Sequence, residues 1–197
     1  MRHPRGVKTL ARLVATLSQR WWAIVLLGAL IALMARRLIE LSARMRLLTG
    51  HAVFDLQGAL GIEGMRAQLA HYTPEAVRLY GRFSSIDFFF PFLNALFWAA
   101  LAAWGLRRAR PALFATGAWQ RWLPWAFVGC VFDWIENVTN AWLIGRYPPL
   151  HEGVAGVALV ARNGRIVAVS ALAVLALAFA LWGAATSIAR FVNRRAT

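Results

Sequence analysis

The stretch LPWAFVGCVFDWIENVTNAWLI (Leu123–Ile144) has the length of a membrane span, yet it carries four polar side chains from its middle onward. Asp133, Glu136, Asn137 and Asn140 are spaced i, i+3, i+4 and i+7. On an α-helix this spacing places all four side chains on one face. An acid at bilayer depth costs about 2.5–3.5 kcal/mol on insertion scales, so two acids one turn apart need partners. The stretch therefore predicts a membrane helix with a polar site on one face.

The composition of the whole chain also favours a membrane protein. Apolar residues make up 60% of the 197 residues, and ten residues are tryptophan; a soluble domain of this length rarely carries so much apolar material in long runs. Three runs, Arg82–Arg107, Arg121–Arg146 and Arg165–Arg190, each enclose 24 residues between two arginines. A helix of that length reaches about 36 Å, which is enough to cross a hydrocarbon core of about 30 Å.

We predict an all-α, polytopic integral membrane protein built as a four-transmembrane-helix bundle. The first span is the shortest and needs Arg36 and Arg37 to extend toward the interface. We expect it to be retained, because Leu33-Met34-Ala35 followed by two arginines lacks a cleavage pattern. The membrane domain is predicted at residues 21–190, with spans at about 21–39, 86–106, 123–144 and 166–186, a basic N-terminus at 1–20, an outer loop at 49–82 and a tail at 191–197.

The distribution of the charges predicts an orientation. Of the 22 basic residues, twelve lie before residue 21, between residues 107 and 121, or from residue 190 onward, with no acid among them. Residues 36–87 and 146–165 hold ten basic and six acidic residues. The positive-inside rule then places both termini and the middle loop in the cytoplasm, which predicts a bacterial inner-membrane protein with membrane lipids as its partners. Nucleic-acid binding is not expected, because no RNA platform or zinc-finger pattern occurs.

The loops and the fourth helix give further local predictions. Thr73-Pro74-Glu75 is a helix-start signal, and that helix is expected to continue into the second span. Residues 146–165, in which Pro148-Pro149, Gly153 and Gly156 occur, are expected to form a turn-rich outer connection. The fourth helix, Ile166–Ala185, is interpreted as a structural wall, in which alanines and Gly183 permit close helix packing.

A second polar stripe is predicted on the second span. Tyr80, Ser84, Asp87, Pro91 and Asn94 share one helical face, and Pro91 is expected to kink the helix near Asp87. Helical rise places Asn94 roughly 12 Å below the outer boundary, which is about the depth of Glu136. The two stripes therefore predict one shared cavity between the second and third spans, with Asp55 or His71 near its mouth.

Several kinds of chemistry fit such a cluster. A carboxylic acid beside a carboxylate can act as general acid and base, as in isomerisation, and the same pair can bind a cation or carry protons. A purely structural hydrogen-bond network that locks the two helices together is an equally open interpretation. No metal site and no cofactor are predicted, because neither a DxxD nor an HxxxH motif organises the acids. Cys130 is interpreted as a packing residue, and His51, His71 and His151 as loop histidines.

Three motifs resemble those of known membrane proteins. Asp55-Leu56-Gln57, the D-x-x-x-P from Asp87 to Pro91, and the D-x-x-E-N of residues 133–137 follow the order found in a widespread group of bacterial four-helix membrane proteins of uncharacterised activity. The first two motifs are also similar to those of EXPERA-type proteins, which include the emopamil-binding sterol isomerases and the sigma-two receptor. This second resemblance implies an intramembrane pocket, lined by carboxylates, for a sterol-like or cationic amphiphilic molecule.

The leading hypothesis is therefore an acid-lined intramembrane pocket that binds a lipid-like or amphiphilic small molecule. Two alternatives remain, a membrane-lipid-modifying enzyme that uses the acids as general acid and base, and a subunit whose acids pair with another membrane protein. A homo-oligomer is compatible with each of them. In the hypothesis Asp133 and Glu136 hold the charge, the asparagines orient the ligand, and Asp87 and Asp55 guard the mouth. The predicted ligand-binding residues are Asp133, Glu136, Asn137, Asn140, Asp87, Asn94, Asp55 and Tyr80.

Overall fold

The computed structural model describes residues 5–57 and 60–195, and within these ranges the secondary structure is entirely helical. Residues 1–4 of the predicted basic N-terminus, residues 58–59 of the predicted outer loop and residues 196–197 of the predicted tail lie outside the described residues. The described part thus confirms the all-α class. In chain order the helices are α1 (Arg5–Gln19), α2 (Trp21–Thr49), α3 (Ile62–Leu69), α4 (Pro74–Asp87), α5 (Phe90–Ala109), α6 (Pro111–Ala115), α7 (Leu123–Ala126), α8 (Val128–Arg146) and α9 (Glu152–Asn193), with short 3-10 segments at Phe54–Leu56 and Ala118–Trp122.

Among the described residues, three helical stretches are long and apolar enough to cross a membrane. They are Trp21–Thr49, Pro74–Ala109 and Glu152–Arg195. Along α9, five aliphatic side chains at seven-residue intervals leave 64–70% of their surface exposed. A helix that turns such a face outward is suited to an apolar surrounding rather than to water. The long apolar helices therefore indicate a membrane association. The five residues are Val160, Val167, Val174, Leu181 and Ile188.

The stretch expected to form the third span is not among these three. It is divided at Phe127 into the four-residue α7 and the nineteen-residue α8. Pro124 occupies the first turn of α7, and the amide of Phe127 bonds to its carbonyl at 3.1 Å in a tighter, three-residue step. In α8, the polar residues Asp133, Glu136, Asn137 and Asn140 lower the mean hydropathy of the helix.

The connection before α9 is much shorter than the sequence suggested. Residues 146–165 were expected to form a turn-rich loop, but α9 begins at Glu152, and only residues 147–151 separate it from α8. Glu152 lies in the first turn, where a carboxylate complements the helix dipole. The alanine-rich sequence that follows outweighs the cost of Gly153 and Gly156, each about 1 kcal/mol. As a consequence Arg165 lies inside a helix.

The chain is divided into two compact units. The first unit comprises residues 1–29, 93–128 and 168–197, and the second unit comprises residues 30–92 and 129–167. All eight acidic residues of the sequence belong to the second unit, whereas the first unit has twelve basic residues and no Asp or Glu. The first unit is therefore positive throughout, whereas the second unit, with ten basic and eight acidic residues, carries charges of both signs.

In the second unit, the predicted outer loop folds into an apolar core. Phe54, Met65, Leu69 and Phe83 are almost fully buried and belong to one cluster with the C-terminal half of α2. The predicted helix start is confirmed, since the amide of Ala76 donates to Thr73 Oγ1 at 3.2 Å. The burial of Phe54 places the next residue of the 3-10 segment, Asp55, inside the protein, whereas Leu56 stays exposed.

In the first unit, α5 and α9 approach each other so closely that side chains are excluded at two glycines. A Cβ atom at Gly183 would lie 2.6 Å from the carbonyl oxygen of Gly105, and one at Gly105 would collide with the carbonyl of Phe179. This confirms the expectation that Gly183 permits close helix packing.

Candidate functional site

A network of polar side chains is buried in the second unit, and Asp55 is one of its centres. Tyr80 Oη donates to Asp55 Oδ2 at 2.7 Å, and Asn140 Nδ2 donates to Asp55 Oδ1 at 3.3 Å. Arg165 Nη2 donates to the main-chain carbonyl of Asp55 at 3.1 Å. Asp55 belongs to the 3-10 segment Phe54–Leu56, so a short turn of the loop is joined to α4, α8 and α9.

Asn137 forms the second centre of the network. Its Nδ2 donates to Asp87 Oδ2 at 2.9 Å and more weakly to Asp133 Oδ1 at 3.4 Å. Asp87 is the last residue of α4, and the chain turns at Phe88 and Phe89 before α5 begins. The interruption agrees with the kink expected near Asp87, because Pro91 has no N–H to donate to the Asp87 carbonyl. One asparagine on α8 therefore links Asp87, at the end of α4, to Asp133.

Trp134 supports this turn from the outside of α8. Its Nε1 donates to the carbonyl of Phe88 at 2.8 Å, and its ring stacks on the Phe88 ring with centroids 5.6 Å apart. The turn at Phe88 and Phe89 is thus joined to α8 by a side-chain donor. The contact fixes the position of the neighbouring Asp87.

Arg165 joins the two acids that the sequence placed one turn apart. Its Nη1 lies 3.3 Å from Asp133 Oδ1, and its Nε lies 3.2 Å from Glu136 Oε2. Arg162, one turn earlier on the same face of α9, is also buried. Sequence reasoning missed both arginines, because Arg165 was interpreted as the boundary of a span. The signal that was available is their i, i+3 spacing, which matches the spacing of Asp133 and Glu136.

The network contains more acidic than basic side chains. Four carboxyl groups, each no more than 6% exposed, share a small region with two guanidinium groups. Asp133 and Glu136 are paired with Arg165, whereas the side chains that donate to Asp55 and Asp87 are a phenol and two amides. Burying a charge is costly unless an opposite charge or several donors accompany it. Asp55 and Asp87 are therefore the acids best placed to receive a cation.

Several oxygen atoms of the network also lack donors. Among the described residues, no hydrogen bond reaches Oδ1 of Asn137, Oδ1 of Asn140 or Oγ of Ser84. Glu136 Oε2 has its ion pair with Arg165 but no well-aligned hydrogen bond. A buried acceptor without a donor costs about 1–3 kcal/mol. The network is thus rich in acceptors and would gain from a group that brings hydrogen-bond donors.

Seven of the eight predicted binding residues belong to this network. Asp133, Glu136, Asn137, Asn140, Asp87, Asp55 and Tyr80 are connected to one another directly or through Arg165. Asn94, the eighth, belongs to the first unit, is half-buried there, and is not part of the network. Asp55 and Asp87 were expected at an open mouth, but they are 6% and 4% exposed because the loop folds inward.

The remaining candidate groups lie in other surroundings. His51 and His71 have ring centroids 6.0 Å apart, while His151 lies against the Trp142 ring at 4.8 Å. Cys130 is a buried free thiol. In the part of the chain that the structure describes, no three His, Cys, Asp or Glu side chains are arranged to hold a metal ion.

No protein-family model matches the chain, and no curated protein or solved structure is significantly similar to it. The motif resemblances therefore remain predictions. The function has to be inferred from the network itself.

Proposed function

We propose that the chain is a four-span integral membrane protein of the bacterial inner membrane with both termini in the cytoplasm. The three long apolar helices supply three spans, and α8 supplies the fourth, since nineteen residues reach about 28 Å. Its polar side chains point into the network, so their cost in the bilayer is offset by ion pairs and hydrogen bonds. The acid-free basic segments at both ends of the chain and around residues 107–121 support the orientation.

Within that membrane protein, the buried network is the binding site for a lipid-like or amphiphilic small molecule with a cationic end. The observation that carries this proposal is the imbalance of the network, in which four carboxyls accompany two guanidiniums and several oxygens lack donors. A protonated amine provides both a positive charge and up to three N–H donors. A purely structural network would be more stable with its acceptors satisfied from within.

The hydrogen bonds and ion pairs within the network indicate which of its residues would contact the ligand. The cationic end lies against Asp87 and Asp55, which accept hydrogen bonds from the neutral side chains of Asn137, Asn140 and Tyr80. The free amide oxygens of Asn137 and Asn140 accept hydrogen bonds from it. Arg165 keeps Asp133 and Glu136 in place. The apolar remainder of the ligand extends along the helices toward the lipid phase.

Native mass spectrometry of the detergent-released protein tests this proposal. We expect the wild type to carry a bound small molecule, and Asp87→Asn and Glu136→Gln to lose it. Glu152→Gln is the matched control, because that carboxylate is exposed and pairs with Arg66 outside the network. The proposal fails if the wild type is bare, or if the molecule remains bound when Asp87 and Glu136 are both replaced.

A second candidate function is acid–base chemistry on a membrane lipid. It is favoured by the short Tyr80–Asp55 hydrogen bond of 2.7 Å, which holds a phenol and a carboxyl together in a buried position. In this case the bound molecule would be found as a mixture of substrate and product. Tyr80→Phe would then stop the conversion while the molecule stays bound, whereas simple binding would leave one unchanged species in both proteins.

A further inference from the structure

The first unit contains an apolar cavity of about 820 Å³. Small residues on α5 and α9, among them Ala103, Ala168 and Ala171, line it together with residues of the 113–128 segment. The size falls in the range of about 300–1,000 Å³ that is usual for small-molecule sites. Because the lining is almost wholly apolar, a hydrocarbon chain fits it better than a polar solute.

Tryptophans are prominent in the lining of this cavity. Trp119, Trp122, Trp125 and Trp182 contribute to the lining, and Trp122 and Trp125 leave 67% and 69% of their surface exposed. Tryptophan side chains accumulate at the level of lipid headgroups, because the ring is apolar and its N–H is polar. The tryptophan side chains of the lining are therefore suited to the boundary between acyl chains and headgroups.

Two arginines accompany these tryptophans. Arg121 lines the cavity, and the guanidinium of Arg110 lies 5.6 Å from the centroid of the Trp182 ring, which also lines it. An arginine stacked on a ring keeps its N–H edge available for an oxyanion, and a guanidinium matches a phosphate in two parallel hydrogen bonds. The first unit has no Asp or Glu, so it offers no carboxylate that could neutralise the two arginines.

The geometry points to an anionic phospholipid as the occupant of this cavity. One acyl chain fills the apolar space between α5 and α9, and the phosphate is held by Arg121 and Arg110 beside the tryptophans. A zwitterionic phospholipid fits less well, because its ammonium group would add a positive charge to an environment that is already positive throughout. The site differs from the carboxylate network in charge, and it does not depend on the function proposed for that network.

Native mass spectrometry of the full chain in detergent, titrated with phosphatidylglycerol or phosphatidylcholine, tests the inference. The measured quantity is the dissociation constant of the first bound lipid. We expect phosphatidylglycerol to bind the wild type at least fivefold more tightly than phosphatidylcholine. Each arginine near an anionic group contributes about fivefold in affinity, so Arg121→Gln should weaken phosphatidylglycerol binding by that factor and the double variant with Arg110→Gln by more.

Two further variants separate the cavity from general electrostatic attraction. Ala171→Phe fills the space for the acyl chain without changing any charge, and it should weaken both lipids. Arg146→Gln is the matched control, because Arg146 is exposed like Arg121 and Arg110 and lies over a tryptophan ring, Trp142, as Arg110 lies over Trp182, but belongs to the second unit. It should bind phosphatidylglycerol as the wild type does.

The inference is overturned by any of three results. These are equal affinity for the two lipids, an unchanged dissociation constant in Ala171→Phe, and a loss in Arg146→Gln as large as that in Arg121→Gln. Arg121 is exposed, so its replacement leaves the fold intact and the arginine comparison remains decisive even if the phenylalanine variant is unstable.

Discussion

Arg165 and Asp133 lie 32 residues apart in the chain, and their side chains form an ion pair with Nη1 and Oδ1 separated by 3.3 Å. The two side chains are 16% and 5% exposed, so water screens the pair only weakly. The same guanidinium also reaches Glu136 and the main chain of Asp55. One arginine on α9 thus holds together the 3-10 segment Phe54–Leu56 and both acids of α8.

Replacement of Arg165 by glutamine should destabilise the protein strongly. Removal of one partner from a buried ion pair leaves the other charge uncompensated, which costs about 3–5 kcal/mol. We expect the free energy of unfolding, measured by denaturant titration in mild detergent, to fall by that amount.

Arg66→Gln provides the matched control within the same unit. Arg66 pairs with Glu63 and Glu152, but its side chain is 42% exposed, and ion pairs at such positions contribute about 0–1 kcal/mol. If the two variants lose equal stability, Arg165 does not have the organising role inferred from its contacts.

Tyr80→Phe should destabilise the second unit through a single lost hydrogen bond. The phenol donates to Asp55 Oδ2 at 2.7 Å, and both groups are buried. Leaving a buried acceptor without its donor costs about 1–3 kcal/mol. A double-mutant cycle with Asp55→Ala, which removes the acceptor, isolates the energy of this hydrogen bond, because the coupling energy excludes the loss of unrelated contacts. A coupling energy near zero would show that the two groups do not depend on each other.

Gly105→Ala should disrupt the packing of α5 against α9 in the first unit. The added methyl group would collide with the main-chain carbonyl of Phe179, and a backbone atom cannot move aside as a side chain can. We expect a loss of about 1–3 kcal/mol, the usual cost of overpacking, in thermal unfolding of the detergent-solubilised protein. Gly81→Ala is the control, since nothing lies within 4 Å of a Cβ placed there. It should be neutral or stabilising by about 0.5–1 kcal/mol, because alanine favours the helix.

The features that the sequence predicted well are those set by local patterns. The start of α2 at Trp21, the capped start of α4 after Thr73 and the face shared by Asp133, Glu136, Asn137 and Asn140 follow from capping chemistry and helical periodicity. The helix α1 was missed within the basic N-terminus. Its apolar residues at positions 10, 14 and 17 have the spacing of an amphipathic helix. The basic residues of the same segment indicate only a charged N-terminus.

The features that the sequence did not predict depend on tertiary contacts. Positively charged residues usually mark the ends of membrane spans, so the sequence predicts a span boundary at Arg165. Only the fold shows that Arg165 on α9 faces Asp133 on α8. Likewise, nothing local indicates that Asp55 is buried, because that depends on the packing of Phe54 and Tyr80 against the loop.

The number of spans can be decided from the location of the C-terminus. Three spans would place the two ends of the chain on opposite sides of the membrane, whereas four spans, with α8 crossing, place them on the same side. We expect a green fluorescent protein fused after residue 197 to fluoresce and alkaline phosphatase at the same point to be inactive, since both results indicate the cytoplasm. Phosphatase fused after Tyr147, in the connection between α8 and α9, should be active.

For the N-terminal side, Gln19→Cys in a Cys130→Ala background should react with a membrane-impermeant maleimide only after permeabilisation. An active C-terminal phosphatase together with a protected Gln19→Cys would mean that α8 does not cross.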